Sequence, residues 1–430
     1  MKEEATFNFG WVILGVSFIT LALVYGIWYS FSVFFVAILK EFGWSRSTAA
    51  GAFSLFIIIH SLIGPFVGGM IDRFGPKRVI LLGSLFIGIG LTLCSLVRTW
   101  WQFYLFLGVI TAAGVGSAGW VPNIAIINQW FREKKGFAMG FVSSGIGIGI
   151  LVSAPSFQFL ITQVGWRMTY RIMAIFIPSI VILMAIAFLK RPPQTTPTLL
   201  TEEGIPRRVI KNPLVVNEEW TSQIWTVRRA ITTKQFWLLG LSFFSGTFIS
   251  QSIFTHQVAY FVDHGIDALF ASYIVGVTGI VSIGGKILWG TLSDKIGREI
   301  TFTIGIACSI FGMIVLTLYN FYPSFGLMYF FSLFFGLGYA VTAALPPLVT
   351  ADIFEGQAYG SIFGSLMVFL GAGGATGTWF AGFIYDQMGS YIPVFIISIL
   401  CALFACFNLW KAAPRKIRKV PGKKIKLLGA

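Results

Sequence analysis

Residues 276–298 read GVTGIVSIGGKILWGTLSDKIGR. The stretch sets one cation, Lys286, inside an apolar run long enough to cross a bilayer, and closes in a charged turn bounded by glycines. Lys286 is the one Lys or Arg that we read as lying deep within an apolar run. A charge at that depth costs at least ~2.5–3.5 kcal/mol, so it calls for a partner or a bound anion that offsets the cost. Thr278, Ser282 and Lys286 recur every four residues, which puts them in one polar stripe of a helix. That stripe is expected to face a cavity.

Outward from this stretch the same texture continues. The chain is 56% hydrophobic and 11% charged, with mean hydropathy +0.82, too little polarity to cover a soluble globule. Apolar spans fall at 11–38, 47–71, 78–97, 101–129, 137–162, 168–189, 235–262, 268–292, 300–319, 325–351, 358–384 and 391–410. A helix rising 1.5 Å per residue needs about 20 such residues to span a membrane, so the expected class is an all-α membrane protein of twelve helices. The first span is too long for a signal-peptide core and is read as retained.

The formal charge of +15 belongs to this topology and not to nucleic-acid binding. With the N-terminus placed in the cytoplasm, the Lys and Arg residues gather in the inner segments. Only Lys40, Arg46, Arg98, Arg167 and Arg171 fall outside. Both termini are therefore expected to be cytoplasmic in a cell membrane, plasma or inner. Cys94, Cys308, Cys401 and Cys406 lie within spans and lack metal-ligand spacing, so they read as helix packing. No nucleotide-binding loop, metal cluster or nucleophilic triad stands out, and neither a cofactor, a metal nor an enzymatic role is expected.

Residues 190–234 are rich in Pro, Thr and charge and divide the spans six from six. The expected organisation is a bundle over 1–189, a cytoplasmic linker over 190–234, a second bundle over 235–411 and a basic tail over 412–430. Asp72-Arg-x-Gly75 and Asp294-Lys-x-Gly297 occupy corresponding places in the two halves, as do Gly165 and Gly389. Two repeated halves facing each other enclose a central cavity, the design of a transporter that rocks between two openings.

Gly68-x-x-x-Asp72-Arg73-x-Gly75-x-Lys77-Arg78 resembles the signature loop of the major facilitator superfamily, and 290–298, with Asp294, Lys295, Gly297 and Arg298, resembles its second copy. Within that superfamily, Tyr29-Ser-Phe-Ser-Val-Phe-Phe35, Gly43-Trp-Ser-Arg46, Trp130-Phe-Arg-Glu-Lys-Lys-Gly136, Gly165-Trp-Arg167, Lys190-Arg-Pro-Pro193 and Tyr385-Asp-Gln-Met-Gly-Ser-Tyr391 resemble monocarboxylate transporters and oxalate/formate exchangers. The resemblance implies two six-helix bundles and a substrate carboxylate gripped at the Lys286 position, where the family usually carries arginine. Lysine is a point charge whose pKa falls on burial, unlike the bidentate and permanently charged guanidinium. The family's lysine in helix 1 stands as Tyr29 here, and its helix 8 aspartate as Ser282. In the signature loops Asp72 and Asp294 are expected to cap helices and pair with arginines, forming a latch.

The candidate substrate-binding residues are Lys286, Ser282, Tyr29, Tyr25, Trp120, Asn123 and Tyr339, since polar-tipped aromatics suit a small organic anion. Asp263 and His256, on one face of the seventh span, join Lys286 as proton-coupling candidates. His60, alone in the second span, reads as packing. The expected function is proton symport of a small, lactate- or pyruvate-like monocarboxylate by a monomer in the lipid bilayer. Exchange of oxalate/formate-type anions is the alternative, and a non-transporting membrane sensor is a reading from another class.

Overall fold

A computed structural model of the protein describes residues 2–131, 135–190, 215–356 and 358–420. Within them, eleven helices are long and apolar enough to cross a membrane. One of these, Ala138–Phe188, holds two spans, because Gly165 inside it has φ 78° and ψ 159°. We label the twelve α1 (Phe9–Phe42), α2 (Arg46–Phe74), α3 (Pro76–Cys94), α4 (Trp100–Trp130), α5 and α6 (before and after Gly165), α7 (Lys234–Asp263), α8 (Ala268–Ile296), α9 (Arg298–Phe321), α10 (Phe325–Ile353), α11 (Tyr359–Met388) and α12 (Ile392–Ala412). The expected motif residues Arg132, Glu133 and Lys134, positions 191–214 of the linker and the tail beyond 420 lie outside the described residues.

Hydroxyl and carboxylate caps start several helices. Ser45 accepts from the Thr48 N–H, Thr233 from Phe236, Asp267 from Leu269 and Phe270, and Ser324 from Leu327, so backbone donors at helix starts are satisfied before they enter an apolar medium. Two helices depart from the continuous spans expected from sequence. The first breaks at Ser30. The fourth contains a π-helical stretch, Tyr104–Thr111, and breaks again at Gly119.

α1–α6 and α7–α12 form two bundles, which meet where α2 packs on α11 and α5 on α8. We call the end carrying the linker the linker end and its opposite the far end. Toward the far end the contacts are so close that only glycine fits. A methyl group on Gly382 would lie 2.7 Å from the Arg46 backbone, and one on Gly279 would lie 2.9 Å from the Leu151 nitrogen. Toward the linker end of the same helices, Gly64 and Gly68 of α2, Gly360 and Gly364 of α11, Gly140 of α5, and Gly284 and Gly290 of α8 have no such neighbour within 4 Å. The bundles are thus closed at the far end and splayed at the linker end.

The described part of the linker folds back on the second bundle. Val216 donates to the Ile417 carbonyl at 2.9 Å, Trp220 Nε1 donates to the Ile353 carbonyl at 2.8 Å, and Trp225 meets Phe354 edge-on at 5.0 Å. A contrast between two glycines of α8 tests the splay. Gly279→Leu forces side-chain atoms into α5 and is expected to destabilise by about 1–3 kcal/mol, lowering the midpoint of thermal unfolding in detergent. Gly284→Leu is expected to leave that midpoint unchanged, and equal losses would show that α5 and α8 are in contact along their whole length.

Candidate functional site

At mid-depth, below the splayed linker end, the broken helices and their partners face one another across the space between the bundles. Just before the break in α1, Tyr25, Trp28 and Tyr29 turn inward, and just after the break in α4 comes Trp120. The Tyr29 hydroxyl meets the Tyr339 hydroxyl of α10 at 2.6 Å, a hydrogen bond across the seam between bundles. Phe254 of α7 packs against both rings, at 5.0 and 4.9 Å. Beside them Trp28 Nε1 donates to Gln251 Oε1 at 3.4 Å. Lys286 holds its Nζ 5.4 Å from the centre of the Tyr339 ring, a cation–π contact. Among the described residues no carboxylate pairs with it.

Other predicted residues fall differently. Ser282 and Thr278 are fully buried and donate to carbonyls of their own helix, Gly279 and Ile274. Of the stripe expected to face the cavity, Lys286 is partly exposed and the two hydroxyls are not, because α10 packs over them: Gly336 lies against Val281 and the Thr278 carbonyl. Asn123 is also fully buried, and its amide donates to the Ala118 and Gly119 carbonyls at 2.9 and 2.7 Å. It stitches the break in α4, so its nitrogen has no donor left to offer an anion.

Asp263 and His256 sit in a separate cluster at the far end. The Arg46 guanidinium donates to both Asp263 oxygens at 2.8 and 2.7 Å and to the Tyr391 hydroxyl at 2.6 Å, and stacks 3.6 Å over the Tyr385 ring. Asp386 of α11 accepts from the Arg46 and Ser47 backbone N–H groups, both at 2.8 Å, at the positive end of the α2 dipole. Arginine has donors only, so Tyr391 accepts from it and gives its own proton to His256 Nδ1, 2.8 Å away. His256 Nε2 in turn donates to the Thr378 carbonyl at 2.9 Å. Neither group is free: the carboxylate is held bidentately and both histidine nitrogens are used. The arrangement is a clasp between α2 of one bundle and α7, α11 and the start of α12 of the other.

At the linker end the second signature loop pairs within its own bundle. Arg298 bridges Asp294 at 2.6 Å and Asp352 of α10 at 2.8 Å. The expected capping by Asp294 does not occur, because α9 starts at Gly297 with no side-chain cap and the carboxylate is drawn to Arg298 instead. Lys295 is exposed. In the first copy, Asp72 and Arg73 form no ion pair with a described residue, and Gly75, φ 82°, makes the turn as Gly297, φ 108°, does in the second. Among the described residues, every hydrogen bond that joins the bundles lies at mid-depth or at the far end: Trp28–Gln251, Tyr29–Tyr339, Ser54–Ala375 and the Arg46 cluster.

The clasp residues Arg46, Tyr385, Asp386 and Tyr391 carried a sequence signal, the Gly43-Trp-Ser-Arg46 and Tyr385-to-Tyr391 motifs, without a role attached. Trp28, Gln251 and Phe254 had none, since the chain holds 14 Trp and 44 Phe and only the fold says which face inward.

The family model for the Major Facilitator Superfamily matches residues 17–349 and 263–428. The chain belongs to the Major Facilitator Superfamily. It is a multi-pass membrane transporter of that superfamily, with twelve spans in two bundles. It is 26% identical over 419 residues to monocarboxylate transporter 12 of Rattus norvegicus, covering 94% of this chain and 85% of that protein. It is also 27% identical over 406 residues to the oxalate:formate antiporter of Oxalobacter formigenes, covering 89% of each. Among solved structures, the nucleoside transporter NupG in a variant form gives a TM-score of 0.70 at 13% identity over 94% of this chain and 100% of that one. A bacterial homologue of the lysosomal transporter Spinster, inward-facing and unoccupied, gives 0.66 at 16% over 95% and 96%. At these identities the structural likeness is one of fold.

The clasp yields a test. Thr255 is buried beneath it, bonded to Thr378 at 3.2 Å. A charge-assisted hydrogen bond contributes about 1.5–3 kcal/mol. Arg46→Ala is therefore expected to speed maleimide labelling of a Thr255→Cys reporter by about tenfold or more, applied from the far side. Unchanged labelling would mean that the clasp does not hold the far end shut.

Proposed function

We propose that this transporter carries a small monocarboxylate together with a proton by alternating access. One observation carries the reading: Lys286 lies at mid-depth, against the Tyr339 ring that joins Tyr29 across the bundles, and has no carboxylate partner among the described residues. An anion beside it would offset the cost of burying that charge. The Tyr29 and Tyr339 hydroxyls lie beside the same space, and Tyr25, Trp28, Trp120 and Phe254 supply walls for a carbon skeleton. A doubly charged substrate calls for a second cation. The names of the relatives, a monocarboxylate transporter and an oxalate:formate antiporter, agree with a carboxylate cargo.

On this reading 1–189 and 235–411 are the two rocking bodies, 190–234 is their cytoplasmic tether and 412–430 a cytoplasmic tail. Positive charge at the linker end favours a cytoplasmic face of a cell membrane for it, and on that orientation the splayed form is the inward-facing state. A single chain holds both bodies and acts as a monomer. Asp263 and His256 serve the outer clasp, and the signature residues Asp294 and Arg298 brace the second body while it turns.

Uptake of labelled lactate and pyruvate into proteoliposomes tests this. An acid-outside gradient is expected to drive accumulation by the parent. Lys286→Ala should abolish binding without loss of fold, whereas Lys286→Arg should keep it. Wild-type uptake by the alanine variant would remove Lys286 from the site, and exchange that ignores the gradient would favour the antiporter reading. A second measurement fixes the sidedness: cysteines placed at 216–230 are expected to react with impermeant reagent from the cytoplasm alone, and reaction from outside would invert the topology.

A further inference from the structure

We propose that His60 of α2 is the group that carries the coupled proton. This rests on the symport reading above and adds to it a residue that the sequence left as packing. Among the described residues the acidic groups of the membrane region all lie at its ends, Asp72 at the linker end of α2 and the others already engaged. Asp263 and Asp386 are held in the clasp, Glu41 accepts from Arg167 and Trp166, Asp294 and Asp352 from Arg298, and Glu299 from Arg415. The proton must therefore be taken at mid-depth by something other than a carboxylate.

The three histidines differ in what their rings already do. His256 spends both nitrogens on Tyr391 and Thr378, and His264 spends both on the Tyr260 carbonyl and Asn320. His60 has one long contact, Nε2 to the Tyr25 hydroxyl at 3.5 Å, and its other nitrogen has no partner among the described residues. It is partly exposed, and its ring lies 4.9 Å edge-on from Trp28 and 6.0 Å from Tyr25, packed against the inward-turned aromatics of α1. The ring can accept a proton without breaking an existing network.

Its position links it to Lys286. From His60 the aromatic rings run through Trp28 to Tyr29 at 6.3 Å and on to Tyr339 at 6.2 Å, and Lys286 Nζ lies 5.4 Å from that last ring. α1 presents Tyr25 as the titratable group facing His60. α4 presents Gly116 near its ring, and α11 presents Gly371 and Gly374 to the neighbouring Ser61 and Ile57, none of which titrates. The charge on the other side of the seam is that of Lys286. Two cations facing one space repel, and an anion between them removes the penalty, so the anion raises the proton affinity of His60 and the proton raises the affinity for the anion by the same factor. Neutral imidazole takes the proton on its free lone pair from water on one side and returns it to water on the other.

The experiment compares wild type and His60→Gln in proteoliposomes with labelled lactate, measuring accumulation driven by an acid-outside gradient and gradient-free exchange. Each unit of pKa raised by the anion is worth about tenfold in affinity. The His60→Gln substitution is expected to cut gradient-driven accumulation about tenfold or more while exchange stays within about twofold. Wild type and His60→Gln responding equally to the gradient would overturn the assignment and leave symport standing. A wild type that exchanges but ignores the gradient would instead sink the symport reading itself. Because the variant can fail to fold, 15N-histidine NMR of the wild-type chain, which has three histidines, provides a second readout. The His60 ring is expected to change protonation with pH at a midpoint that lactate raises, and a His60 resonance whose pH response is the same with and without lactate would overturn the proposal whatever the variant does.

Discussion

Arg46 is the side chain on which the closed end of the molecule depends. One guanidinium satisfies Asp263 of α7, Tyr391 at the start of α12 and the ring of Tyr385 on α11, while the backbone beside it is capped by Asp386. Three helices of the second bundle thus converge on the first turn of α2. Planar and bidentate donors make this possible, and a lysine offering one point charge could not reach all of them. With Arg46 side-chain exposure at 13%, the pair is better shielded from water than an ordinary surface ion pair.

Below the clasp the seam is held by shape. Where α2 meets α11 and α5 meets α8, the backbones approach until only glycine fits, as expected where lipid removes the hydrophobic drive to pack and close van der Waals contact takes its place. Toward the linker end the same helices carry glycines that touch nothing across the seam. Smooth surfaces on both sides of a contact allow it to be remade elsewhere along the helix. Among the described residues, hydrogen bonds between bundles are few and confined to mid-depth and the far end, and opening there requires breaking those few.

Much of this was written in the sequence, and the part that was not has physical reasons. The twelve spans were legible because bilayer thickness imposes a length, and the turns at Gly75 and Gly297 because a tight reversal between charged residues has few solutions. Breaks within spans were hidden: Ser30 and Gly119 sit in runs whose hydropathy does not change across them. Lys286 could be found as a charge out of place. Ser282 shares its helical stripe, yet its face is covered by α10, and periodicity along one helix cannot say where a neighbour lies. His60 and His256 look alike in sequence, each one histidine in an apolar span, and only the partners of their ring nitrogens separate them.

The bond between Tyr29 and Tyr339 joins the bundles beside Lys286. Two hydroxyls at 2.6 Å share one proton between them and leave the other to spare. A carboxylate beside Lys286 that accepts from both would need the proton now spent on the tie. Such a ligand and the tie would compete for the same donor, and its binding would unfasten a stitch that holds the bundles together. Occupancy and freedom to turn become two readings of one proton's position.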